Sequence, residues 1–342
     1  MKKIIKQVVA IDVAQEELVV CLGRLNEDLS KELFAHKTFG NNKKGFTELV
    51  KWVTKSMIKE VAVQYVMEAT GVYHEALAFF LDGHKKALSI VLPNKISNYA
   101  RTLDIKTVTD KTSSEAIALF SLERQLEKWV RPAAIYLQMR QLTRERSQLL
   151  DERTVLKNQL HAEQSSGWPN KESIARTNKR IALLTKQDKE ITESLQKLIK
   201  EDPELASIIK LICSIPGIST ITAATIIAET NCFALIKNKR QLTSYAGLDI
   251  REKQSGTSVK GKPRISKRGN KKLRSALYMP ALTAIRHDER YKAVYARLVG
   301  KHGVKMKAAV AIQRKLLEMS YTVFKTGTAY DKDYYKKLGG NP

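Results

Sequence analysis

The stretch from residue 251 to residue 274, REKQSGTSVKGKPRISKRGNKKLR, combines strong positive charge with small hydroxyl side chains. It holds ten lysines or arginines and a single acidic residue, Glu252. A basic run of this density is typical of a surface that binds phosphates. Its hydroxyls, among them those of Ser255, Ser258 and Ser266, then have two interpretations. Either they are filler in a nucleic-acid contact, or one of them is a nucleophile that attacks a phosphate held by its neighbours.

Three acidic residues lie at positions in apolar strand patterns or at a helix start, where a carboxylate is unusual and calls for a structural or functional explanation. Asp12 lies inside an apolar strand pattern, Glu68 ends another such pattern, and Asp110 begins a predicted helix. A buried carboxylate is costly unless it is paired or binds a metal. If the two strands are neighbours, Asp12 and Glu68 lie side by side at the edge of the sheet, and Asp110 approaches from the helix N-terminus. Hard oxygen ligands of this kind suit Mg²⁺ or Mn²⁺ and phosphodiester chemistry. The alternative is that Asp12 is a turn residue and the other two are helix N-terminal charges.

The elements that must position these carboxylates lie in residues 7–130, where strand and helix patterns alternate. Three strand patterns joined by short turns come first, and strand–helix units follow. The order predicts a mixed sheet with helices packed on it, which is an α/β arrangement. Strands are predicted over 7–13, 17–25, 31–39, 63–69 and 87–93, and helices over 43–57, 73–83 and 111–129.

Residues 134–200 change to a helical and highly charged pattern. Apolar residues recur at steps of three and four on both sides of a break at SSGWPN, and Arg146 and Arg153 interrupt the first apolar row. This spacing predicts a coiled-coil helical hairpin, or two helices that pair with another subunit. Ordinary amphipathic helices lying on a core are the alternative. The apolar positions are Ile135, Met139, Leu142, Leu149, Leu156 and Leu160, then Ile174, Ile181, Leu184, Ile191, Leu195 and Leu198.

The remaining chain is predicted to be mainly helical. LASIIKLICSIPGISTITAATIIAET has the pattern helix, Pro–Gly turn, helix, which is similar to a helix-hairpin-helix whose second helix can present N–H groups to a phosphate. A buried corner between two helices is the alternative. Two more helices after the basic run would close the domain. We therefore divide the chain into domains at 1–130, 131–202 and 203–342.

The composition of the chain limits the classes of binding partner and cellular compartment that we expect. The 342 residues carry a formal net charge of +25 and a pI near 9.8, which favours a polyanionic partner. No uncharged stretch is long enough to span a membrane, and Lys6 and Asp12 interrupt the N-terminal apolar run too early for a signal peptide. The three scattered cysteines form neither a disulfide framework nor a zinc site, so we expect a cytoplasmic protein.

Six segments, in order along the chain, resemble the DEDD transposases of bacterial insertion sequences, which include Piv-type DNA invertases and RNA-guided recombinases. Each segment is weakly specific, but six in register are highly specific. They are VVAIDVAQEELVVCL, MEATGVYHEAL, TDKTSSEAIALF, SIPGISTITAATIIAE, SYAGLDIREKQSGTSVKGKPRISKRGNKKLRSALYMPAL and RKLLEMSYTVFKTG.

The resemblance implies an N-terminal RNase H-like domain, similar to that of RuvC resolvase, with a D-E-D-D metal site. The first three carboxylates correspond to Asp12, Glu68 and Asp110, but the fourth position is Ser113 in this chain. A hydroxyl is a weak metal ligand, so the second metal loses a strong ligand. Water, or an adjustment of Ser114 or of the unassigned Glu115, would have to complete the coordination.

The resemblance also implies a serine nucleophile in the C-terminal domain, and this serine corresponds to Ser255. Gly256 beside it would allow close approach to DNA. Since no histidine lies in the run, we expect the acidic site to activate Ser255. Ser258 and Ser266 are then phosphate contacts or caps. The expected nucleic-acid contacts are Arg251, Lys260, Lys262, Arg264, Lys267, Arg268, Lys271, Lys272 and Arg274.

The sequence therefore predicts an insertion-sequence transposase that exchanges DNA strands through a phosphoserine intermediate. The resemblance implies double-stranded DNA and a structured guide RNA as partners, a dimer or tetramer, and a place with the bacterial nucleoid. Two alternatives stay open at this point. One is a RuvC-like nuclease that hydrolyses DNA without a serine intermediate, and the other is a decayed, non-catalytic nucleic-acid-binding protein.

Overall fold

The chain forms two compact units, Met1–Arg131 and Pro132–Pro342, in the computed structural model. The structure describes residues 3–69, 71–103, 107, 109–234, 236–252, 254–255, 259–261 and 263–333, with only the backbone for 254–255 and 259–260. No helix within these ranges has the length and apolar character needed to cross a bilayer. The three-domain division stays a prediction.

The first unit is built on a five-stranded mixed sheet, as predicted. The strands are β1 (Ile4–Val13), β2 (Glu17–Asn26), β3 (Lys31–Gly40), β4 (Val63–Glu68) and β5 (Ala87–Val91). Their order in the sheet is β3-β2-β1-β4-β5; β2 pairs antiparallel with both β1 and β3, and β4 runs parallel to both β1 and β5. The helices are α1 (Lys43–Ser56), α2 (Glu75–Gly83), α3 (Pro93–Ala100) and α4 (Asp110–Glu123).

Helices cover both faces of this sheet, which explains why its central strands are apolar on both sides. In β1, Val9 and Ile11 belong to the core formed with α1 and α2. Val8 and Ala10 alternate with them and belong to the core formed with α3 and α4. The face covered by α4 is therefore the face to which every even-numbered residue of β1 points, from Val8 onwards.

The helix predicted over 111–129 is shorter in the structure, where α4 ends at Glu123. Lys6 donates from its ammonium group to the carbonyl oxygens of Ser121 and Arg124, which satisfies acceptors at the helix end. Beyond it, the Trp129 N–H donates to Leu88 O at 2.7 Å, so this segment lies against β5. Each of these contacts joins residues that are far apart in sequence, so local helix propensity could not predict where α4 ends. The short helix α3, with Pro93 in its first turn, was also missing from the sequence prediction.

The second unit begins with two antiparallel helices of 31 residues each, α5 (Ala134–Gln164) and α6 (Lys171–Glu201). The two arginines that interrupt the apolar row of α5 meet one acidic residue of α6. Arg146 Nε lies 2.8 Å from Asp188 Oδ1, and Arg153 Nη1 lies 3.4 Å from Asp188 Oδ2. The helical hairpin is therefore present, whereas its coiled-coil character and its role in subunit pairing stay predictions.

Helices dominate the rest of this unit, as predicted. They are α7 (Pro203–Cys213), α8 (Thr220–Thr230), α9 (Lys239–Ala246), α10 (Lys271–Ala276), α11 (Tyr278–His287), α12 (Glu289–His302) and α13 (Lys305–Thr326). Helix α8 lies at the centre of the core, with every residue from Thr222 to Thr230 buried. Two two-residue ladders pair β6 (Ile250–Arg251) with β9 (Arg264–Ile265) and β7 (Gln254–Ser255) with β8 (Val259–Lys260). Sequence patterns missed α9, α12 and these ladders.

The Pro–Gly turn between α7 and α8 packs closely on α11. Gly217 has a φ of +86°, and a Cβ added there would overlap the carbonyl oxygen of Pro280. The side chain of Ser219 caps α8 by accepting from the Thr222 N–H at 3.3 Å. This packing is what a buried corner requires, and phosphate binding by the turn stays a prediction.

Candidate active site and nucleic-acid interface

Asp12 and Glu68 lie side by side at the ends of neighbouring strands. The parallel register of β1 and β4 pairs Ile11 with Met67, so the next residue on each strand is an acidic one. Strand alternation places both acidic residues on the face that α4 covers, since Ile11 and Met67 belong to the opposite core. β1 and β4 are therefore neighbours, which was the condition for Asp12 to lie beside Glu68.

Asp110 is the first residue of α4 and is exposed. A capping box fixes the start of this helix. The Thr109 hydroxyl accepts from the Thr112 N–H at 3.2 Å, and the Thr112 hydroxyl accepts from the Thr109 N–H at 2.8 Å. Because α4 packs on the same face of the sheet as Asp12 and Glu68, its N-terminus brings Asp110 towards the two strand ends.

Asp12 is coupled electrostatically to Asp110 and to Glu68. Burial raises the pKa of the Asp12 carboxyl, the charge of Asp110 raises it further, and a hydrogen bond from the Val13 backbone partly offsets the rise. Burial also raises the pKa of Glu68, with a further contribution from the charge of Asp12. No lysine or arginine forms an ion pair with these carboxylates in the part of the chain that the structure describes. Within the described residues, the site is a concentration of negative charge without a cation paired to it.

The chemistry of this donor set fits a hard divalent cation, because it offers oxygen ligands and uncompensated negative charge. Asp12 and Glu68 would supply the adjacent pair of ligands, and Asp110 is near enough for its charge to affect Asp12. Among the described residues, however, no three His, Cys, Asp or Glu side chains are arranged closely enough to hold a metal ion. The three-carboxylate metal site thus stays a prediction.

The residues around the missing fourth carboxylate have distinct contacts. Ser113 lies one helical turn after Asp110 and is partly exposed. Ser114 is fully buried, and its hydroxyl donates to Lys111 O at 2.7 Å. Glu115 pairs with His36 of β3, with 3.0 Å between Oε1 and Nε2. Ser114 and Glu115 thus have partners elsewhere, and the assignment of Ser113 to the fourth carboxylate position stays a prediction.

Ser255 lies in the short strand β7, and its backbone pairs with Val259 of β8. The side chain of Ser255 lies outside the described residues, as do residues 256–258, which include Thr257 and Ser258. Ser266, the third candidate hydroxyl, donates to Asp249 Oδ1 at 2.5 Å and accepts from the Arg268 N–H at 3.3 Å, so it caps the local turn. The role of Ser255 as nucleophile stays a prediction.

The basic residues of the run divide into two groups. Lys272 donates to the Ser147 hydroxyl at 3.0 Å, and Arg274 donates to Ala246 O at 2.7 Å, so both serve as internal anchors. The side chains of Lys260 and Lys262 lie outside the described residues. The exposed cations are Arg251, Arg264, Lys267, Arg268 and Lys271.

Sequence reasoning missed a buried carboxylate beneath this run. The Glu229 side chain is 1% exposed and accepts two hydrogen bonds from Arg144 of α5, from Nε at 2.7 Å and from Nη2 at 2.9 Å. Asn270, which precedes α10, donates to Glu229 Oε2 at 2.6 Å. The sequence could have indicated Glu229, because it is an acidic residue in the apolar segment ATIIAET and a buried carboxylate needs a partner.

Two descriptions of transposase families match the sequence. Residues 9–163 match DEDD transposases of the IS110 type, and residues 209–296 match the transposases of the IS116/IS110/IS902 family. The two matches concern related insertion sequences and together cover more than half of the chain. The first match extends from the first unit into α5, and the second lies within the second unit.

Curated relatives extend over nearly the full length. The pilin gene-inverting protein of Moraxella bovis is 28% identical over 328 residues, which is 96% of this chain and 98% of that protein. The protein of the same name from Moraxella lacunata matches with the same identity and coverage. A 43.6 kDa protein of the insertion element IS110 from Streptomyces coelicolor is 26% identical over 35% of this chain and 30% of its own length.

Among solved structures, two of Thermus thermophilus RuvC match 36% of this chain and 99% of their own, each with a TM-score of 0.28. One is a complex with a Holliday junction substrate and is 7% identical, and the other is 10% identical. A similarity of this size supports no conclusion about chemistry.

Proposed function

This chain belongs to the IS110-type family of DEDD transposases, and we propose that it cuts and exchanges DNA strands with a divalent-metal carboxylate site and a serine nucleophile. The acidic residues are Asp12, Glu68 and Asp110, and the nucleophile is Ser255. The names of the two Moraxella relatives, which describe the inversion of a gene, support DNA rearrangement as the overall outcome.

The observation that carries the proposal is the pairing of Asp12 with Glu68. Two partly buried carboxylates on adjacent parallel strands raise each other's free energy, and they have no cation from the described part of the chain to offset it. Such an arrangement disfavours folding, so it is explained most directly by a ligand that brings positive charge. Asp110, fixed by the capping box at the start of α4, adds a third carboxylate near the pair.

A divalent cation bound by these carboxylates would neutralise negative charge near the reacting phosphate and polarise its oxygens. Asp12 and Glu68 hold their place through the sheet register, and the helix cap holds Asp110. Ser113 supplies a hydroxyl where a fourth carboxylate would otherwise stand, which predicts weak affinity for a second cation. A Ser113→Asp variant would restore that ligand.

For the strand-exchange step, the Ser255 hydroxyl transfers its proton to a carboxylate that acts as general base, and its oxygen bonds to phosphorus. The bond between phosphorus and one deoxyribose oxygen breaks, and that oxygen leaves as a hydroxyl after protonation. A DNA hydroxyl from another strand then attacks the phosphoserine and releases Ser255. Energy of the phosphodiester bond is conserved in the intermediate, so rejoining requires no added cofactor.

The partners follow from charge and from the reaction. Double-stranded DNA fits the excess of positive charge and the exposed cations of the run. Strand exchange between two DNA sites needs at least two catalytic units, so we propose a homo-oligomer that pairs through α5 and α6. A structured RNA that pairs with donor and target DNA is part of the same proposal.

A second candidate is a nuclease that hydrolyses DNA at the carboxylate site, with Ser255 only contacting phosphate. The carboxylate pair would serve this chemistry equally well. The two candidates differ in whether a cleaved DNA end is joined to protein.

The acidic site is tested by cleavage of duplex DNA taken from the flanks of the gene, in the presence of the RNA encoded beside it, with and without Mg²⁺. We expect Asp12→Asn and Glu68→Gln to abolish cleavage, because each removes an anionic ligand with little change in volume. Glu48→Gln is the matched control, because it removes an exposed carboxylate on α1 of the same unit. Wild-type cleavage by Asp12→Asn would refute the assignment.

A further inference from the structure

The basic run is held by a buried polar cluster centred on Glu229. Arg144 contacts this carboxylate with two parallel hydrogen bonds, and Asn270 contacts it with a third. Two further bonds fix the surrounding backbone: the Tyr245 hydroxyl donates to Glu229 O at 2.8 Å, and Arg140 donates to Ala228 O. Three elements and the N-cap residue of α10 therefore meet at Glu229: α5 and Asn270 at its carboxylate, α9 at its backbone carbonyl, and α8, which carries it.

Asn270 transmits this anchoring to the run. While its amide nitrogen donates to Glu229, its amide oxygen accepts from the backbone N–H groups of Lys272 and Leu273 at 2.9 and 3.1 Å. It is thus the N-cap of α10 and the contact to the buried carboxylate at the same time. Its own backbone N–H donates to Tyr245 O at 2.8 Å, which joins the run to α9.

The backbone before Asn270 has little freedom. Gly269 crosses the end of α9 so closely that an added Cβ would overlap Tyr245 O, and Lys267 donates its N–H to Gly247 O at 3.1 Å. Lys267 also adopts a φ of +54°, in the left-handed region. The exposed side chains of Lys267, Arg268 and Lys271 are consequently attached to a backbone whose course is set by interior contacts.

We propose that Glu229 is a positioning residue that, through Asn270, holds Lys267, Arg268 and Lys271 in the arrangement that contacts successive phosphates of duplex DNA. This inference rests on the proposed function, because it assumes that the run binds DNA. A fixed set of cations binds better than a mobile set of equal charge, since less conformational entropy is lost on binding.

Removal of the Glu229 charge distinguishes a positioning role from long-range electrostatics, because the two predict opposite changes in DNA affinity. Removing a negative charge beneath a DNA-binding surface should strengthen binding if only long-range attraction matters. If Glu229 positions the run, Glu229→Gln should weaken binding instead. Asn270→Asp should weaken it as well, because it keeps a helix-capping oxygen but replaces the donated N–H by an oxygen that faces the carboxylate.

The double variant Glu229→Gln with Asn270→Asp reverses the donor and the acceptor. The new amide at 229 can donate to the new carboxylate at 270, whose second oxygen still caps α10, and the net charge equals that of the wild type. Because Arg144 Nη2 donates to the same Glu229 oxygen as Asn270, the double variant loses that one bond from Arg144. We expect each single variant to bind a 30-base-pair duplex about tenfold more weakly, with a shallower slope of log affinity against log salt. The double variant should bind more tightly than either single variant, because it restores the bond between residues 229 and 270.

Thermal unfolding of each variant checks that the chain is folded at the temperature of the binding measurement. Tyr321→Phe is the matched control for lost stability, because it removes another buried hydrogen bond of the same core, from the Tyr321 hydroxyl to Ile236 O. It should leave DNA affinity unchanged. If the single variants do not fold, Asn270→Ser, which keeps the cap and loses the bond to Glu229, provides the same comparison.

Tighter binding by Glu229→Gln, or wild-type affinity and slope in both single variants, would overturn the positioning role. A change seen with a structured RNA and absent with the DNA duplex would overturn the assignment to DNA. Failure of the wild-type protein to bind DNA in a salt-dependent way would instead refute the proposed function, and the inference would fall with it.

Discussion

Asp12 and Glu68 illustrate, at the scale of single residues, how functional side chains can reduce the stability of the fold. Neutral side chains at these two strand ends would fold with less electrostatic repulsion. The sequence singles out Asp12 because it lies inside an apolar strand pattern, and Glu68 because it ends another. Their adjacency needed the sheet order, since no local pattern states which strands are neighbours.

Replacing Asp12 by Asn should therefore raise the thermal unfolding temperature in the absence of divalent cations. We expect a rise of roughly 1–3 °C, because repulsion with Glu68 and Asp110 is removed. Adding Mg²⁺ should stabilise the wild-type protein and leave the variant unchanged, and Ser113→Asp should increase the stabilisation by Mg²⁺. The measurement is thermal unfolding with and without Mg²⁺, with Glu48→Gln as control. Equal stabilisation of wild type and Asp12→Asn would show that the cation binds elsewhere.

Glu229 has the opposite electrostatic situation. Burial alone would raise the pKa of its carboxyl, but hydrogen bonds from Arg144 and Asn270 and the charges of Arg144 and Arg140 outweigh it and hold the pKa below its ordinary value. A carboxyl with a lowered pKa in the folded state stabilises the fold at pH values above its unfolded pKa. That contribution is lost as the pH falls through the folded pKa.

The free energy of unfolding of the wild-type protein should therefore decline more steeply below about pH 4.5 than that of Glu229→Gln. Urea unfolding at a series of pH values between about 3 and 7 measures the difference between the two proteins. A constant difference across this range would mean that Glu229 does not titrate with a lowered pKa.

At the scale of elements, the turn between α7 and α8 sets how the central helix of the second unit packs. Gly217 combines a positive φ with close approach to α11, so a side chain at this position meets both backbone strain and a clash. Gly300, inside α12, has no atom within contact distance of an added Cβ. The two glycines therefore form a matched pair.

We expect Gly217→Ala to lower the free energy of unfolding by about 2–4 kcal/mol, through strain and overlap with Pro280 O. Gly300→Ala should be neutral or stabilising by up to about 1 kcal/mol, since alanine favours a helix interior. Chemical denaturation of both variants tests the contrast. Similar effects at the two positions would mean that the turn does not pack as described.

The elements also show where sequence patterns are sufficient. The strands of the first unit and the pair of helices α5 and α6 were predicted because alternation and three-to-four spacing are local signals. The end of α4 was not, because it depends on Lys6 and on Leu88, which are remote in sequence. The two-residue ladders around Ser255 are too short to produce any periodicity.

The candidate site shows the same division. The carboxylates and the basic run were predicted from residue type and position. The separation of the run into exposed cations and internal anchors such as Lys272 and Arg274 was not, because it depends on contacts with α5 and α9. Glu229 had a signal in the sequence, but its partner Asn270 could be found only in the folded chain.

At the scale of the whole molecule, the net charge of +25 raises the question of which lysines and arginines contact DNA and which make no direct contact with it. Lys267, Arg268 and Lys271 are exposed on an anchored backbone, whereas many lysines of α6 face acidic residues one turn away. Only the former group is expected to release counterions on binding.

Replacing Lys267, Arg268 and Lys271 by Ala should reduce the slope of log affinity against log salt by as much as about 3, at about 0.9 per phosphate contact. Replacing Lys186, Lys189 and Lys197 by Ala removes the same charge from α6 and should change the slope by less than about 1. Fluorescence anisotropy with a labelled duplex over a range of salt concentrations measures both. Equal effects of the two triple variants would mean that the basic run has no special role.

The central claim, strand exchange through a phosphoserine, is tested most directly by trapping the covalent intermediate. Wild-type protein is incubated with Mg²⁺, end-labelled DNA from the gene's flanks and the RNA encoded beside it, then denatured with SDS. The account predicts a labelled protein–DNA adduct that disappears after protease digestion and maps to the peptide containing Ser255. Ser255→Ala should bind DNA and form no adduct, while Ser266→Ala should still form it. Mg²⁺-dependent cleavage by Ser255→Ala at the wild-type rate, with free DNA ends, would contradict the account and favour hydrolysis.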